Sequence, residues 1–77
     1  MNRLCDLNIG DKAKVSELSL DGAIRRRLMD IGLIEGTNVK CVLKSPLGDP
    51  KAYEIRGAVI AIRNEDAEKI YIMNNSQ

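Results

Sequence analysis

Short stretches in which apolar and polar residues alternate recur along the chain, and each predicts a β-strand. Ala13 and Val15 alternate with lysine and serine, which is the period-two pattern of a strand with one face toward a core. In a second stretch, Val39, Cys41 and Leu43 fall on one face. We therefore expect two strands whose inner faces carry these apolar residues.

A loop with two prolines, residues 45–50, follows the second predicted strand. After this loop, Tyr53 and Ile55 alternate with polar or small residues and predict a third strand. Because the connection is short, we expect the second and third strands to pair as a hairpin whose loop sets their register.

The last third of the chain predicts two more strands. Gly57 allows a bend before Ala58–Ile62, an apolar run rich in β-branched residues that is typical of a strand buried on much of both faces. Asn64 is a suitable N-cap for a single helical turn. Ile70 and Ile72 then predict a closing strand.

One segment has the period of a helix instead. Its apolar residues recur at i, i+4 and i+7, namely Ile24, Leu28 and Ile31. The helix is predicted from about Asp21 to Ile31, with Ser19 or Asp21 as its N-cap. Gly32 can adopt a left-handed φ just past the last turn, which ends the helix.

Five short strands would leave exposed sheet edges unless the sheet curls on itself. The pattern therefore predicts a small β-barrel with one helix inserted after the first strand. A chain of 77 residues is one domain at most, so we expect a single domain over residues 1–77 in which 74–77 form a frayed tail. The longest apolar run is far shorter than the about 18 residues of a membrane span, so we expect a cytoplasmic protein without direct membrane insertion.

The composition disfavours most kinds of chemistry. The chain has no histidine, and its 12 basic and 11 acidic residues give a net charge of +1. A nucleophile would therefore lack its usual base, and a ferrous site would lack imidazole ligands. Low net charge and two tyrosines as the only aromatics disfavour nucleic-acid binding. We predict no enzyme activity, no cofactor, no metal site and no nucleic-acid partner.

The two cysteines, Cys5 and Cys41, lie far apart in the sequence without neighbouring metal ligands. Free buried thiols are the simpler interpretation in a reducing compartment. The sequence alone nevertheless also allows a disulfide bond between the two cysteines.

Protein–protein contact is the function class that remains. Arg25 and Arg26 belong to the only basic run and favour docking on an acidic partner, although a solvated helix face also explains them. Met29 lies off the apolar helix stripe and Leu47 lies at the tip of the proline loop, and exposed apolar residues of this kind adapt to partners or are simply scattered on the surface. These four residues are the candidate partner-binding set. A further option is self-assembly, in which the edge strands of two copies of the chain pair and form a homo-oligomer.

Several stretches resemble one known family. They are Ile24–Leu33 with Gly36 and Val39, the loop Ser45–Pro50, Gly57, the strand end Ala61–Arg63, and Ala67 with Ile70. Their order and spacing are similar to those of the FeoA domain, the domain of ferrous iron transport protein A, over about Leu4 to Ile72. The resemblance implies an SH3-like five-stranded barrel with a short α-helix after the first strand.

For function, the resemblance implies a small accessory protein of ferrous iron uptake. Its partner would be FeoB, a membrane permease with a cytosolic G-protein domain, which it would bind and modulate by protein–protein contact. Similar domains also form the C-terminal part of metal-dependent repressors, so the fold does not assign the function by itself. The alternatives are a repressor-type regulatory module or an SH3-like nucleic-acid-binding module.

Overall fold

The computed structural model of the protein describes residues 2–74. Over this range the strands are β1 (Asn2–Arg3), β2 (Lys12–Leu18), β3 (Asn38–Lys44), β4 (Lys51–Ile55), β5 (Ala58–Ile62) and β6 (Ile70–Asn74). The helices are α1 (Gly22–Asp30) and α2 (Asn64–Ala67), and a 3-10 turn spans Leu4–Asp6. The element order matches the predicted one, except for the additional strand β1.

All six strands belong to one antiparallel sheet in the order β1-β6-β2-β3-β4-β5. Lys51, at the start of β4, donates from Nζ to the carbonyl oxygens of Cys5 (2.6 Å) and Leu7 (3.0 Å), which follow β1. Parts of the chain that are far apart in strand order therefore meet, because the sheet curls around a core. This confirms the predicted SH3-like fold. A strand of two residues, such as β1, is too short to show alternation in the sequence.

One hydrophobic core fills the curled sheet. Its buried residues are Leu4, Leu7, Ala13, Val15, Leu20, Leu28, Leu33, Val39, Cys41, Tyr53, Ile55, Ile62, Ala67, Ile70 and Ile72. The predicted inner faces of β2, β4 and β6 are confirmed, since all of their expected apolar residues belong to this core.

β3 differs from the prediction at one position. Val39 and Cys41 are buried, but Leu43 is 61% exposed. The pairing of β3 with β4 shifts by one residue between Cys41 and Leu43, which marks a β-bulge. The extra residue turns Leu43 to the outer face, so the expectation that Leu43 points to the core is wrong.

The expectation that Ala58–Ile62 is buried on much of both faces is also wrong. These residues form β5, which is at the edge of the sheet and has β4 as its single neighbour among the described strands. Ile62 is its one buried residue, and Val59 is 58% exposed. An apolar, β-branched run predicts a strand, but its place in the sheet depends on pairings made elsewhere in the chain.

The end of α1 follows the prediction. The N–H of Leu33 donates to the carbonyl oxygen of Leu28 (2.9 Å), and the N–H of Gly32 donates to that of Met29 (3.0 Å). This pair of hydrogen bonds is a Schellman motif, and the φ of +101° at Gly32 is the left-handed value that it requires. The motif returns Leu33 to the core beside Leu28.

None of the three predicted N-cap side chains, Ser19, Asp21 and Asn64, makes the capping hydrogen bond of its helix. Asp21 occupies the N-cap position of α1, but its carboxylate accepts no bond from the helix. The N-cap of α2 is Arg63, and Asn64 is the first helical residue. The N–H of Asn64 donates to the carboxylate of Asp49 (2.9 Å) and its Nδ2 donates to the carbonyl of Gly48 (3.1 Å), so a loop distant in sequence satisfies this end of α2.

The predicted tail does not begin at residue 74. Asn74 is the last residue of β6 and pairs with Ala13 of β2. The rest of that predicted tail, residues 75–77, lies outside the described part of the chain.

Replacing Gly32 with alanine should lower the free energy of unfolding by about 1–2 kcal/mol, which is the cost of a left-handed φ for a residue with a Cβ. The Cβ would meet the outer part of the Arg56 side chain, which is exposed and flexible and can move aside. Gly36 is the matched comparison, because its φ is +92° and nothing lies within 4 Å of its Cβ position. A much larger loss in urea unfolding for Gly32→Ala than for Gly36→Ala would contradict this expectation.

Candidate partner-binding surface

Three of the four candidate residues lie on α1. The buried Leu28 attaches the helix to the core, and the residues on the opposite side face solvent. Arg26 is exposed and Met29 is 41% exposed, whereas Arg25 is only half-buried. The structure thus places Arg25, Arg26 and Met29 on one helix, and Arg26 and Met29 are the two that face solvent.

Met29 borders two shallow grooves. One groove lies along α1 itself and is lined by Arg25, Arg26 and Met29. The other lies between α1 and the end of β2, where Met29 meets Leu18 and Ile34. Met29 is thus an exposed apolar ridge between two grooves. The first is lined by two arginines and Asp30. The second is mainly apolar, with Glu17 and Glu35 also in its lining. We call Arg26, Met29 and Ile34 the α1 surface.

Ile34 is a member of this surface that the sequence interpretation missed. It is exposed to the same extent as Met29, although it follows the fully buried Leu33. The available signal was the pair of consecutive apolar residues after Gly32, because neighbouring residues in an extended segment point in opposite directions. One of the two therefore has to face outward.

Arg25 has an intramolecular role. Its Nη1 donates to the carbonyl oxygen of Leu18 at 3.2 Å and lies 3.5 Å from that of Leu20. Both carbonyls belong to the segment that leads from β2 into α1. Arg25 therefore positions α1 relative to the sheet, and less of its charge is available to a partner than that of Arg26.

Leu47 lies outside the α1 surface. It is in the β3–β4 loop and is 93% exposed. It lines neither of the two grooves that Met29 borders. The structure therefore places Leu47 on a different element from the other three candidate residues.

Sequence and structure comparisons identify the family. The sequence profile of the FeoA domain matches residues 2–74. The chain belongs to the FeoA domain family. This family takes part in ferrous iron transport.

The relatives agree with this assignment. The chain is 34% identical over 70 residues to a Fe(2+) transport protein A/Fe(2+) transporter FeoB fusion protein of Porphyromonas gingivalis, an alignment that covers 91% of this FeoA domain and 8% of the relative. The FeoA protein of Chlorobium tepidum superposes with a TM-score of 0.93 at 36% identity, over 97% of this chain and 71% of that one. The zinc complex of Stenotrophomonas maltophilia FeoA, an SH3 domain protein, superposes with a TM-score of 0.81 at 27% identity, over 95% and 91%.

The thiols and the buried hydroxyl of this FeoA domain are poorly suited to nucleophilic chemistry. Cys5 and Cys41 are both free, so the bridge that the sequence left open is not formed. Burial raises the pKa of both thiols above the ordinary value for cysteine, which reduces the thiolate fraction at neutral pH. Burial also raises the pKa of Tyr53, whose hydroxyl donates to the carbonyl of Leu4 at 3.5 Å.

Metal ligands do not cluster in the part of the chain that the structure covers. Among residues 2–74, no three His, Cys, Asp or Glu side chains lie close enough together to hold an ion. The acidic residues at the start of α2 include Glu65, which lies 3.6 Å from the guanidinium of Arg63. Over the same residues, no helix is both long and apolar enough to cross a membrane.

Proposed function

We propose that this FeoA domain is a cytoplasmic accessory protein of ferrous iron uptake that binds a FeoB-type permease and modulates it by contact alone. The fusion protein of P. gingivalis carries this proposal, because it joins a relative of this chain to a FeoB transporter in one polypeptide. Fusion raises the effective concentration of one part for the other, which is useful when the two parts contact each other.

The α1 surface is the region that we assign to this contact. Met29 and Ile34 offer exposed apolar side chains, and Arg26 offers a cation that makes no ion pair within residues 2–74. A partner that inserts an apolar side chain beside Met29 and places a carboxylate near Arg26 would satisfy both. Docking through α1 leaves the core and the sheet of the FeoA domain unchanged.

Modulation would then act on the partner rather than on a substrate of the FeoA domain. In the family to which the chain belongs, the expected partner carries a cytosolic G-protein domain. Binding of a rigid domain to one conformation of such a partner shifts its population toward that conformation. We therefore expect the FeoA domain to alter the assembly or the nucleotide cycle of the permease.

Titration of the chain into purified FeoB permease tests the assignment. We expect saturable binding, and we expect Met29→Asp to weaken it at least about tenfold, because the substitution places a charge at the centre of an apolar contact. Leu47→Asp is the matched control, since it introduces the same charge at an exposed apolar residue outside the α1 surface. Both residues are exposed, so both variants should unfold at nearly the same urea concentration as the parent chain.

The pattern of affinities decides the outcome. Loss of binding in Met29→Asp with parental affinity in Leu47→Asp supports the α1 surface. The reverse pattern would move docking to the β3–β4 loop and contradict the assignment to α1. Absence of binding by the parent chain itself would overturn the proposed partner.

A further inference from the structure

The edge strand β5 lacks the features that usually protect an open sheet edge. Its five residues, Ala58–Ile62, include no charged residue and no proline, and its pairing with β4 is regular without a bulge. Natural edge strands are commonly kept from pairing by lysine, proline, bulges or very short length. The opposite edge, β1, has such protection, since it is two residues long and includes Arg3.

The backbone of β5 has hydrogen-bonding groups that point to the open edge. β4 and β5 are joined by the two-residue turn Arg56–Gly57, which Ile55 and Ala58 close. The closing pair of such a hairpin is hydrogen-bonded, and bonded pairs alternate with non-bonded pairs along the ladder. Val59 and Ala61 belong to the non-bonded pairs. Their N–H and C=O groups therefore point away from β4.

One row of the outer face beside this edge is an apolar strip. Leu43 of β3 lies opposite Ala52 of β4, and Ala52 lies opposite Ala61 of β5, so these three residues form one cross-strand row. Val59 shares the outer face of β5 with Ala61, and its neighbour on β4 is the charged Glu54. Leu43 is 61% exposed and Val59 is 58% exposed. The open edge thus continues into a single apolar strip that reaches back across three strands.

We propose that β5 pairs with β5 of a second copy of this chain, antiparallel about a two-fold axis at Ile60. This register places Val59 opposite Ala61 of the second copy and Ala58 opposite Ile62. The outward-pointing groups of Val59 and Ala61 then face each other, which gives about four main-chain hydrogen bonds across the axis. Every side chain within the paired strands faces an apolar one.

The charges that flank β5 fit the same register. Continuing the pairing by one residue at each end places Arg63 opposite Gly57 of the second copy. One residue further, Arg56 faces Asn64. Like charges therefore do not oppose each other across the axis, which would otherwise destabilise the pairing. A two-fold interface uses the same patch on both subunits, and β5 is self-complementary in this sense.

The size of the surface predicts a weak dimer. A five-residue strand and the strip beside it provide an interface at the low end of the range for specific association. We therefore expect association in the micromolar range or weaker. This inference does not depend on the proposed permease contact, because it concerns the free chain.

Sedimentation equilibrium of the purified chain from about 5 μM to about 1 mM tests the dimer. We expect the average mass to rise with concentration from 8.5 kDa toward twice that value. Ala61→Pro should weaken dimerisation at least tenfold, because proline removes an N–H that points to the open edge and is not used within the hairpin. Val59→Lys adds a charge of the kind that protects natural edges, and it tests the same edge if the proline variant fails to fold.

Met73→Lys is the matched control. Met73 is 57% exposed, close to the value for Val59, but it lies on β6 away from the open edge of β5. Parental dimerisation in Met73→Lys with loss in the β5 variants supports the proposal. A mass that stays at 8.5 kDa throughout, a mass that rises well beyond twice that value, or parental dimerisation in the folded β5 variants would overturn it.

Discussion

Replacing Leu33 with alanine should lower the free energy of unfolding by about 2–5 kcal/mol. Leu33 is fully buried, and the Schellman motif at the end of α1 fixes it in the core beside Leu28. Truncation removes its apolar surface from the core and leaves a cavity that a small domain can only partly close. The effect is large, because the whole domain is expected to be stable by about 4–12 kcal/mol.

Leu47→Ala provides the matched control for this loss. The same atoms are deleted, but the Leu47 side chain is 93% exposed, so the change should stay within about 0.5 kcal/mol. Urea unfolding followed by circular dichroism measures both variants. Similar stabilities for the two would contradict the placement of Leu33 in the core. Since Leu33 lies beneath α1, its loss should also loosen the surface that we assign to the permease.

Replacing Lys51 with methionine should cost about 2–3 kcal/mol. The Lys51 ammonium donates to the carbonyl oxygens of Cys5 and Leu7, and these bonds connect β4 to the chain segment after β1. Methionine keeps most of the apolar stem but donates no hydrogen bond, so both carbonyls lose their charged partner. The substitution should therefore weaken the contact between β4 and residues 5–7, which closes the curled sheet.

Lys44→Met tests whether this cost is specific. Lys44 lies opposite Lys51 in the β3–β4 pairing, but its side chain is exposed. We expect a change within about 0.5 kcal/mol for Lys44→Met. Hydrogen exchange adds a local measurement, because residues 4–7 should lose protection in Lys51→Met more than β2 and β3 do. Uniform loss of protection, or equal destabilisation by the two variants, would contradict the closing role of Lys51.

The candidate surface could be predicted only in part. Arg26 and Met29 were found as a charged and an apolar residue off the buried helix stripe, and the structure places both on the exposed side of α1. The hydrogen bonds of Arg25 to backbone carbonyls could not be predicted, because their acceptors lie in a segment whose path depends on the packing of α1. Ile34 was missed although the two consecutive apolar residues indicated that one of them faces outward, and the packing decided that Leu33 is the buried one.

The sequence by itself determined the kind and order of the principal elements, the end of α1 and the family. Alternation with a period of two, helical spacing and turn residues are local properties, so β2 to β6 and α1 can be located without knowledge of their partners. Only the tertiary structure decided that β5 is an open edge, that Leu43 faces outward and that Asp49 satisfies the first turn of α2. Each of these depends on pairing or hydrogen bonding between residues that lie apart in the chain, and a local pattern carries no information about such partners.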